Sequence, residues 1–303
     1  MRTLLIINPA AGHGRGERTG DAVAAAASRL WTGLDVVRTK GPGDGAAVAR
    51  QAAVEGFANV LVLGGDGTVH EVANGLLTAG TASLPAMGAI PIGTGNDFAR
   101  IVGTNGMRPP EALEALARGG RSRLDVGRAW DEYFINSLGV GLAAEVAFRV
   151  NAMSTLKGVA AYVVAVLQTM GSYQPMEISV TTQEGDPVSG ECFALEVGNG
   201  ATSGGGFRLT PDARPDDGLL DFCLIRPVGI WGVISKLPKA MSGTHVNLPE
   251  VTMGRSRELT IASNGRSIRA HFDGEVRDPG KESITISVVP SALPVLMATE
   301  AGR

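Results

Sequence analysis

"LVLGGDGTVHEV", residues 61 to 72, carries an apolar, β-like run into three glycines and an aspartate and then into a helical pattern. Leu61-Val62-Leu63 reads as a buried strand. Gly64, Gly65 and Gly67 permit backbone angles that residues with a Cβ avoid, so the chain can turn sharply there. Thr68 stands where a helix N-cap would stand, and Glu71 three residues later completes a capping-box pattern ahead of Val72, Leu76 and Leu77. The unpaired N–H groups and positive dipole end of such a helix favour phosphate. Asp66 is out of place beside phosphate unless a cation lies between the two, which points to Mg²⁺, an ion that takes few protein carboxylates together with substrate phosphates.

Working outward, the 303 residues are long enough for two domains. A formal charge of −3 and 44% hydrophobic content describe an ordinary globular chain and exclude a nucleic-acid binder driven by bulk charge. Cys192 and Cys223 lie in apolar, strand-like surroundings and read as reduced core thiols. Asn8-Pro9 interrupts the apolar N-terminus before a signal-peptide core forms, so a cytoplasmic location is expected. The apolar stretch from Gly158 to Met170 is shorter than the ~18 residues needed to span a bilayer. Any lipid contact is then expected to be peripheral.

From residue 1 to 122 the pattern alternates: strands near Leu4–Ile7, Leu34–Thr39, Asn59–Leu63 and Met87–Ile92, with helices near Asp21–Leu30, Gly45–Glu55 and Thr68–Thr78 between them. That alternation predicts a doubly wound parallel sheet, whose ligands gather at the carboxyl ends of the strands. Residues 123–290 read as a mainly antiparallel β domain with helices near Leu142–Asn151, Thr155–Met170 and Ile230–Ser242, and 291–303 are a candidate to return to the first domain. A second glycine loop, "PIGTGNDFAR" (91 to 100), offers Gly93, Thr94, Gly95 and a possible Asn96-Asp97 cap. A third, "IINPAAGHGRG", follows the first strand. Neither fits the dinucleotide or Walker-A spacing, which removes support for hydride transfer. His13, His70, His245 and His271 are dispersed and read as structural or solvated.

Taken in order, Asn8-Pro9-Ala10-Ala11-Gly12, "GGDGTVHEVANG" (64 to 75), "PIGTGNDFAR" and Asp273-Gly274-Glu275 resemble the motifs of the diacylglycerol kinase catalytic-domain family, which includes sphingosine, ceramide and bacterial lipid kinases. The resemblance implies a phosphofructokinase-like α/β domain, a β-sandwich lipid-binding domain, and transfer of the ATP γ-phosphate to a lipid hydroxyl, with diacylglycerol leading and phosphatidic acid as product. It also implies nucleotide contacts from Asn8, Pro9, Ala10, Ala11, Gly12, Thr39, Gly65, Asp66, Gly67, Thr68, Val69, His70, Glu71, Thr94 and Asn96, and catalysis by Glu275, Asp66 and Asp97, with Glu275 as base. Ala11 departs from the serine of many relatives. A separate resemblance of "ARPDDGLLDF" (213 to 222) implies a structural Mg²⁺ on Asp217 and the carbonyls of Arg214 and Leu219. An ordinary Asp-Gly turn is the competing reading of that stretch. Peripheral membrane contact and a homodimer are further candidates. The rivals are a kinase of a soluble acceptor, NAD-kinase-like because those enzymes also carry GGDG, and a nucleotide-binding regulator without catalysis.

Overall fold

The computed structural model describes residues 1–153, 158–171, 173–183, 185 and 187–299, and divides into two compact units, Met1–Leu124 with Ser291–Arg303, and Asp125–Pro290. The first unit opens β1 (Thr3–Ile7), α1 (Ala11–Leu30), β2 (Leu34–Arg38), α2 (Asp44–Val54), β3 (Asn59–Gly64), α3 (Asp66–Leu77), β4 (Ala86–Pro91), α4 (Asp97–Ile101) and α5 (Pro109–Arg118). Its strands lie in the order β2-β1-β3-β4, all parallel. β1, β3 and β4 are buried along their whole length, as expected for strands covered on both faces. Each buried Leu or Ile there contributes roughly 1.5–3 kcal/mol relative to exposure.

Two helix starts differ from the sequence expectation. α1 takes in Ala11, but Gly12, His13 and Gly14 are left-handed, so its regular run starts after Gly14, still ahead of the expected start near Asp21. Gly16 lies within the helix, and a Cβ there would meet the Asn8 carbonyl oxygen at 1.9 Å, so its glycine serves close packing and not a loop. α3 begins at Asp66 with extended Gly65 as N-cap, three residues before the expected Thr68 cap.

β5 (Arg121–Ala129) carries the chain into the second unit, which continues with β6 (Glu132–Phe134), β7 (Ser137–Gly141), α6 (Leu142–Ala152), α7 (Gly158–Met170), β8 (Met176–Thr182), β9 (Val188–Cys192), β10 (Ala194–Gly198), β11 (Leu220–Ile225), α8 (Ile230–Ser242), β12 (Val251–Ser256), β13 (Glu258–Ser263), β14 (Ala270–Phe272), β15 (Glu275–Arg277) and β16 (Ser283–Leu296). Thr155 to Lys157, included in the expected helix, lie outside the described residues. β16 crosses back at Ser291, and Val295 lies parallel to Met87 of β4.

Within the second unit one antiparallel sheet runs β16-β13-β8-β9 and another β12-β11-β10-β7-β14-β15. Leu138, Val140, Leu195, Val197, Phe222 and Phe272 of the latter form one core with Ile178, Val180, Leu259, Ile261, Ile284 and Ile286 of the former. The period of two along a strand then places Gly139, Glu196, Cys223 and His271 on the opposite face. The architecture is an α/β unit with a parallel sheet and an antiparallel β-sandwich unit. Among the described residues no helix is long and apolar enough to cross a membrane.

Candidate functional site

The loops that follow the parallel strands are tied to one another by side chains that the motifs supply. Asn8, just past β1, donates from Nδ2 to Thr68 Oγ1 at 2.7 Å, while its Oδ1 accepts the Ala10 N–H at 3.0 Å. Asp66 accepts the N–H of Asn96 at 2.6 Å and that of Asp97 at 2.8 Å, so it caps α4 from the neighbouring loop. Gly93 approaches Gly65 so closely that a Cβ on Gly93 would stand 2.8 Å from the Gly65 Cα. The approach therefore requires a glycine at 93, whereas a Cβ on Gly65 would stand at an ordinary 3.4 Å from the Gly93 Cα.

Glu71 corrects the capping-box reading. Its carboxylate reaches across to the N–H groups of Gly43 and Gly45 at the start of α2, at 2.8 and 3.1 Å. Thr68 is engaged by Asn8 and sits within the first turn of the helix. Val69 and His70 are buried; the Val69 N–H is held by the Gly65 carbonyl at 3.0 Å and the His70 carbonyl accepts Asn74 Nδ2 at 3.1 Å. Asp97 is buried and accepts from Arg100 Nη1 at 2.8 Å, while Arg100 also holds the Gly95 carbonyl at 2.6 Å. Thr39 is placed at the end of β2, its N–H on the Ile7 carbonyl at 2.9 Å. Asn8 to Gly12, Thr39, Gly65 to Glu71, Thr94 and Asn96 thus all stand at one end of the parallel sheet.

In the second unit Glu275 opens β15 after a two-residue turn in which Asp273 and Gly274 have φ of 51° and 95°. Both central residues at positive φ match the twist of a tight hairpin. Asp273 is fixed there because its carboxylate accepts the N–H groups of Ile135, Asn136 and Ser137 at 3.0, 2.8 and 3.0 Å. Glu275 itself makes no side-chain hydrogen bond or ion pair among the described residues, and it is only partly buried.

His271 falls on the structural side of the sequence expectation. It is buried beside Glu196, Nε2 to Oε2 at 3.4 Å, and its Nδ1 accepts the Gly274 N–H at 3.3 Å. No local motif marks this pair, because β7 lies between the two strands that carry it. His245 is likewise buried, against the Leu209 carbonyl and Cys223 Sγ, and burial lowers its pKa. The same face of the sandwich holds an apolar cavity of about 160 Å³, whose lining includes Leu142, Val146, Tyr162, Val166, Val233 and Leu237 from α6, α7 and α8.

At the structural-metal candidate, Asp217 accepts the Leu219 N–H at 3.0 Å, and Asp125 accepts that of Gly218 at 2.7 Å. Nearby Asp221 is held above the usual carboxylate range, first by burial, with Arg255 opposing and the charges of Asp217 and Asp212 adding to the rise. A cation there would relieve that crowding, and a carboxylate with two carbonyls is the hard-oxygen set that Mg²⁺ takes. Among the described residues no group of three or more His, Cys, Asp or Glu side chains is arranged to hold a metal.

Fold and loops together define an α/β unit with glycine loops gathered at one end of its parallel sheet, joined to a β-sandwich. A family model described as the diacylglycerol kinase catalytic domain matches residues 2–129, and one described as the YegS C-terminal NAD kinase beta sandwich-like domain matches residues 136–297. A diacylglycerol kinase of Mycobacterium tuberculosis is 30% identical over 298 residues, covering 96% of this chain and 93% of that protein. A probable lipid kinase YegS-like protein of Chromohalobacter salexigens is 37% identical over 185 residues, which span 61% of this chain and 59% of its own length. The solved structure of a Bacillus anthracis diacylglycerol kinase superposes with a TM-score of 0.77 at 22% identity, covering 99% of this chain and 97% of the other, and speaks for the fold alone. The chain belongs to the diacylglycerol kinase catalytic-domain family of lipid kinases.

Proposed function

We propose that the chain transfers the γ-phosphate of ATP to a lipid hydroxyl, with diacylglycerol as the leading acceptor and phosphatidic acid as the product. The observation that carries this reading is the Asp66 clasp: one carboxylate holds the N–H groups of Asn96 and Asp97, and so fixes two glycine loops at the carboxyl ends of parallel strands. Backbone N–H groups and α3's positive end favour the nucleotide phosphates there. Besides accepting the two N–H groups, the Asp66 carboxylate is assigned to Mg²⁺, directly or through water, and the ion would neutralise the phosphate charge. Asp97, braced by Arg100, sets the second loop.

Glu275 is assigned the general base. A lipid hydroxyl is a poor nucleophile at neutral pH, so one group must accept its proton as the bond to phosphorus forms. A carboxylate with no ion pair or hydrogen bond of its own, aimed by a turn that Asp273 locks, suits that task. The apolar cavity of the sandwich suits an acyl chain. On α8, Ile230, Trp231, Ile234 and Met241 are exposed on one side at about 3.6 residues per turn, while Val233 and Leu237 of the same helix line the cavity. That exposed face is assigned to peripheral contact with the bilayer that supplies the lipid.

The test is incubation of purified protein with Mg²⁺, ATP labelled at the γ-phosphate, and diacylglycerol, ceramide, a sphingoid base or NAD. Label in a lipid product supports the reading. Label in NADP alone would identify a soluble-acceptor kinase, and nucleotide binding without any transfer would identify a regulator.

A further inference from the structure

Three neighbouring strands bring Glu196 of β10, Gly139 of β7 and His271 of β14 into one row, since Gly139 is the register partner of both others. All three face away from the sandwich core. A Cβ on Gly139 would lie 2.2 Å from His271 Nε2 and 2.5 Å from Glu196 Oε2. The glycine therefore keeps open the space in which the carboxylate and the imidazole meet.

Glu196 is 3% exposed, and neither carboxylate oxygen has a hydrogen bond of acceptable geometry. His271 Nε2 approaches Oε2 only to 3.4 Å. Because His271 Nδ1 accepts the Gly274 N–H, a neutral imidazole carries its proton on Nε2, toward Glu196. Burial by itself raises the Glu196 pKa, yet His271, Ser137 and Ser203 more than offset it and leave the group below the usual carboxylate range. These three neighbours approach as donors, and a buried carboxylate whose acceptor positions they leave partly unfilled costs free energy unless a further donor arrives.

Glu196, His271 and Ser203 line the same cavity as the apolar side chains of α6, α7 and α8. An occupant must therefore be apolar along most of its length and present an O–H or N–H at one point. A phosphate or carboxylate head would be repelled by Glu196. On the lipid-kinase reading above, we propose that Glu196 is a specificity-determining residue that accepts a hydrogen bond from a second donor on the acceptor lipid, a hydroxyl or amine other than the hydroxyl that is phosphorylated. Diacylglycerol has one free hydroxyl and lacks that second donor. A lipid that keeps a second O–H or N–H is accordingly bound more tightly than the same lipid with that donor blocked.

A matched pair of lipids isolates the donor: monooleoylglycerol, and the same molecule with its secondary hydroxyl blocked as a methyl ether. Binding of each to the whole chain is measured by titration calorimetry in mixed micelles without ATP, followed by KM and kcat with Mg-ATP. The parent binds the free diol about ten- to a hundredfold more tightly than the ether, the range of a hydrogen bond to a charged acceptor. The difference appears in KM more than in kcat. In Glu196→Leu the preference collapses to within about threefold, a residual too small for a charged hydrogen bond. Equal binding of the two lipids by the parent overturns the assignment whether or not the variant folds, and so does a preference that survives in Glu196→Leu. Preference in binding without phosphorylation of either lipid leaves the Glu196 site standing and counts against the kinase reading instead.

Discussion

The carboxylate of Asp66 accepts the backbone N–H of Asn96 at 2.6 Å and caps the helix that follows it, so the aspartate of one glycine loop organises the other. Asp66→Asn keeps the size of the side chain but turns one acceptor into a donor, setting an NH₂ against a backbone N–H. The expected outcome is a loss of about 1–3 kcal/mol in stability, read from the urea midpoint, and near-abolition of phosphate transfer. Unchanged activity with unchanged Mg²⁺ dependence would separate Asp66 from both the metal and the loops.

The Asp217 turn gives a prediction in melting temperature. If Asp217 and the carbonyls of Arg214 and Leu219 hold a structural cation, EDTA lowers the Tm of the parent by several degrees, about 1 kcal/mol or more, and leaves Asp217→Ala unmoved. An equal shift in both proteins would leave only an Asp-Gly turn braced by Asp125.

Trp231 is 80% exposed and Ile234 40% on α8. Alanine at both positions is expected to weaken binding to phosphatidylglycerol–phosphatidylcholine vesicles by at least on the order of tenfold, from the apolar area no longer inserted, with the folded circular dichroism spectrum retained. Undiminished vesicle sedimentation would move the membrane face elsewhere.

Burial pushes the Cys192 thiol up to about 12, and Cys223 reaches about 12 through burial with the Glu196 charge adding. Both thiols should resist a disulfide reagent at about pH 8, near the ordinary thiol pKa, and react fully once unfolded. The folded pKa lies above the unfolded one, so the contribution to stability is complete below about 8.5 and is lost as pH rises toward 12. A lower urea midpoint at pH 10 than at pH 8 is expected. Rapid labelling of the native protein would contradict the buried placement.

Local stereochemistry made the α/β unit legible. Largely apolar strands alternate with helices, and glycines stand where the chain must turn and where backbones touch. Helix starts were less legible, because caps act across space. Asp66 caps α4 instead of its own helix, Glu71 serves the start of α2, and Gly16 sits inside α1 to pass the Asn8 carbonyl. In the sandwich, Val251–Ser256 gives little strand signal, since Gly254 stands there to make room for the Phe222 ring. The Glu196–His271 pair was hidden altogether. Cross-strand register brings it together, and the residue between them in that row is a glycine that no motif distinguishes.

Glu275 as acceptor of the proton from a lipid hydroxyl is the central assignment. The decisive measurement is the initial rate of phosphatidic acid formation from diacylglycerol at saturating Mg-ATP, for the parent, Glu275→Gln and His271→Asn, with ATP affinity determined separately. Parent turnover with kcat lower by on the order of 10²–10⁴ in Glu275→Gln at little-changed ATP affinity, and a much smaller loss in His271→Asn, is the predicted result. Near-normal turnover in Glu275→Gln, or a larger loss in His271→Asn, would contradict the assignment of the base.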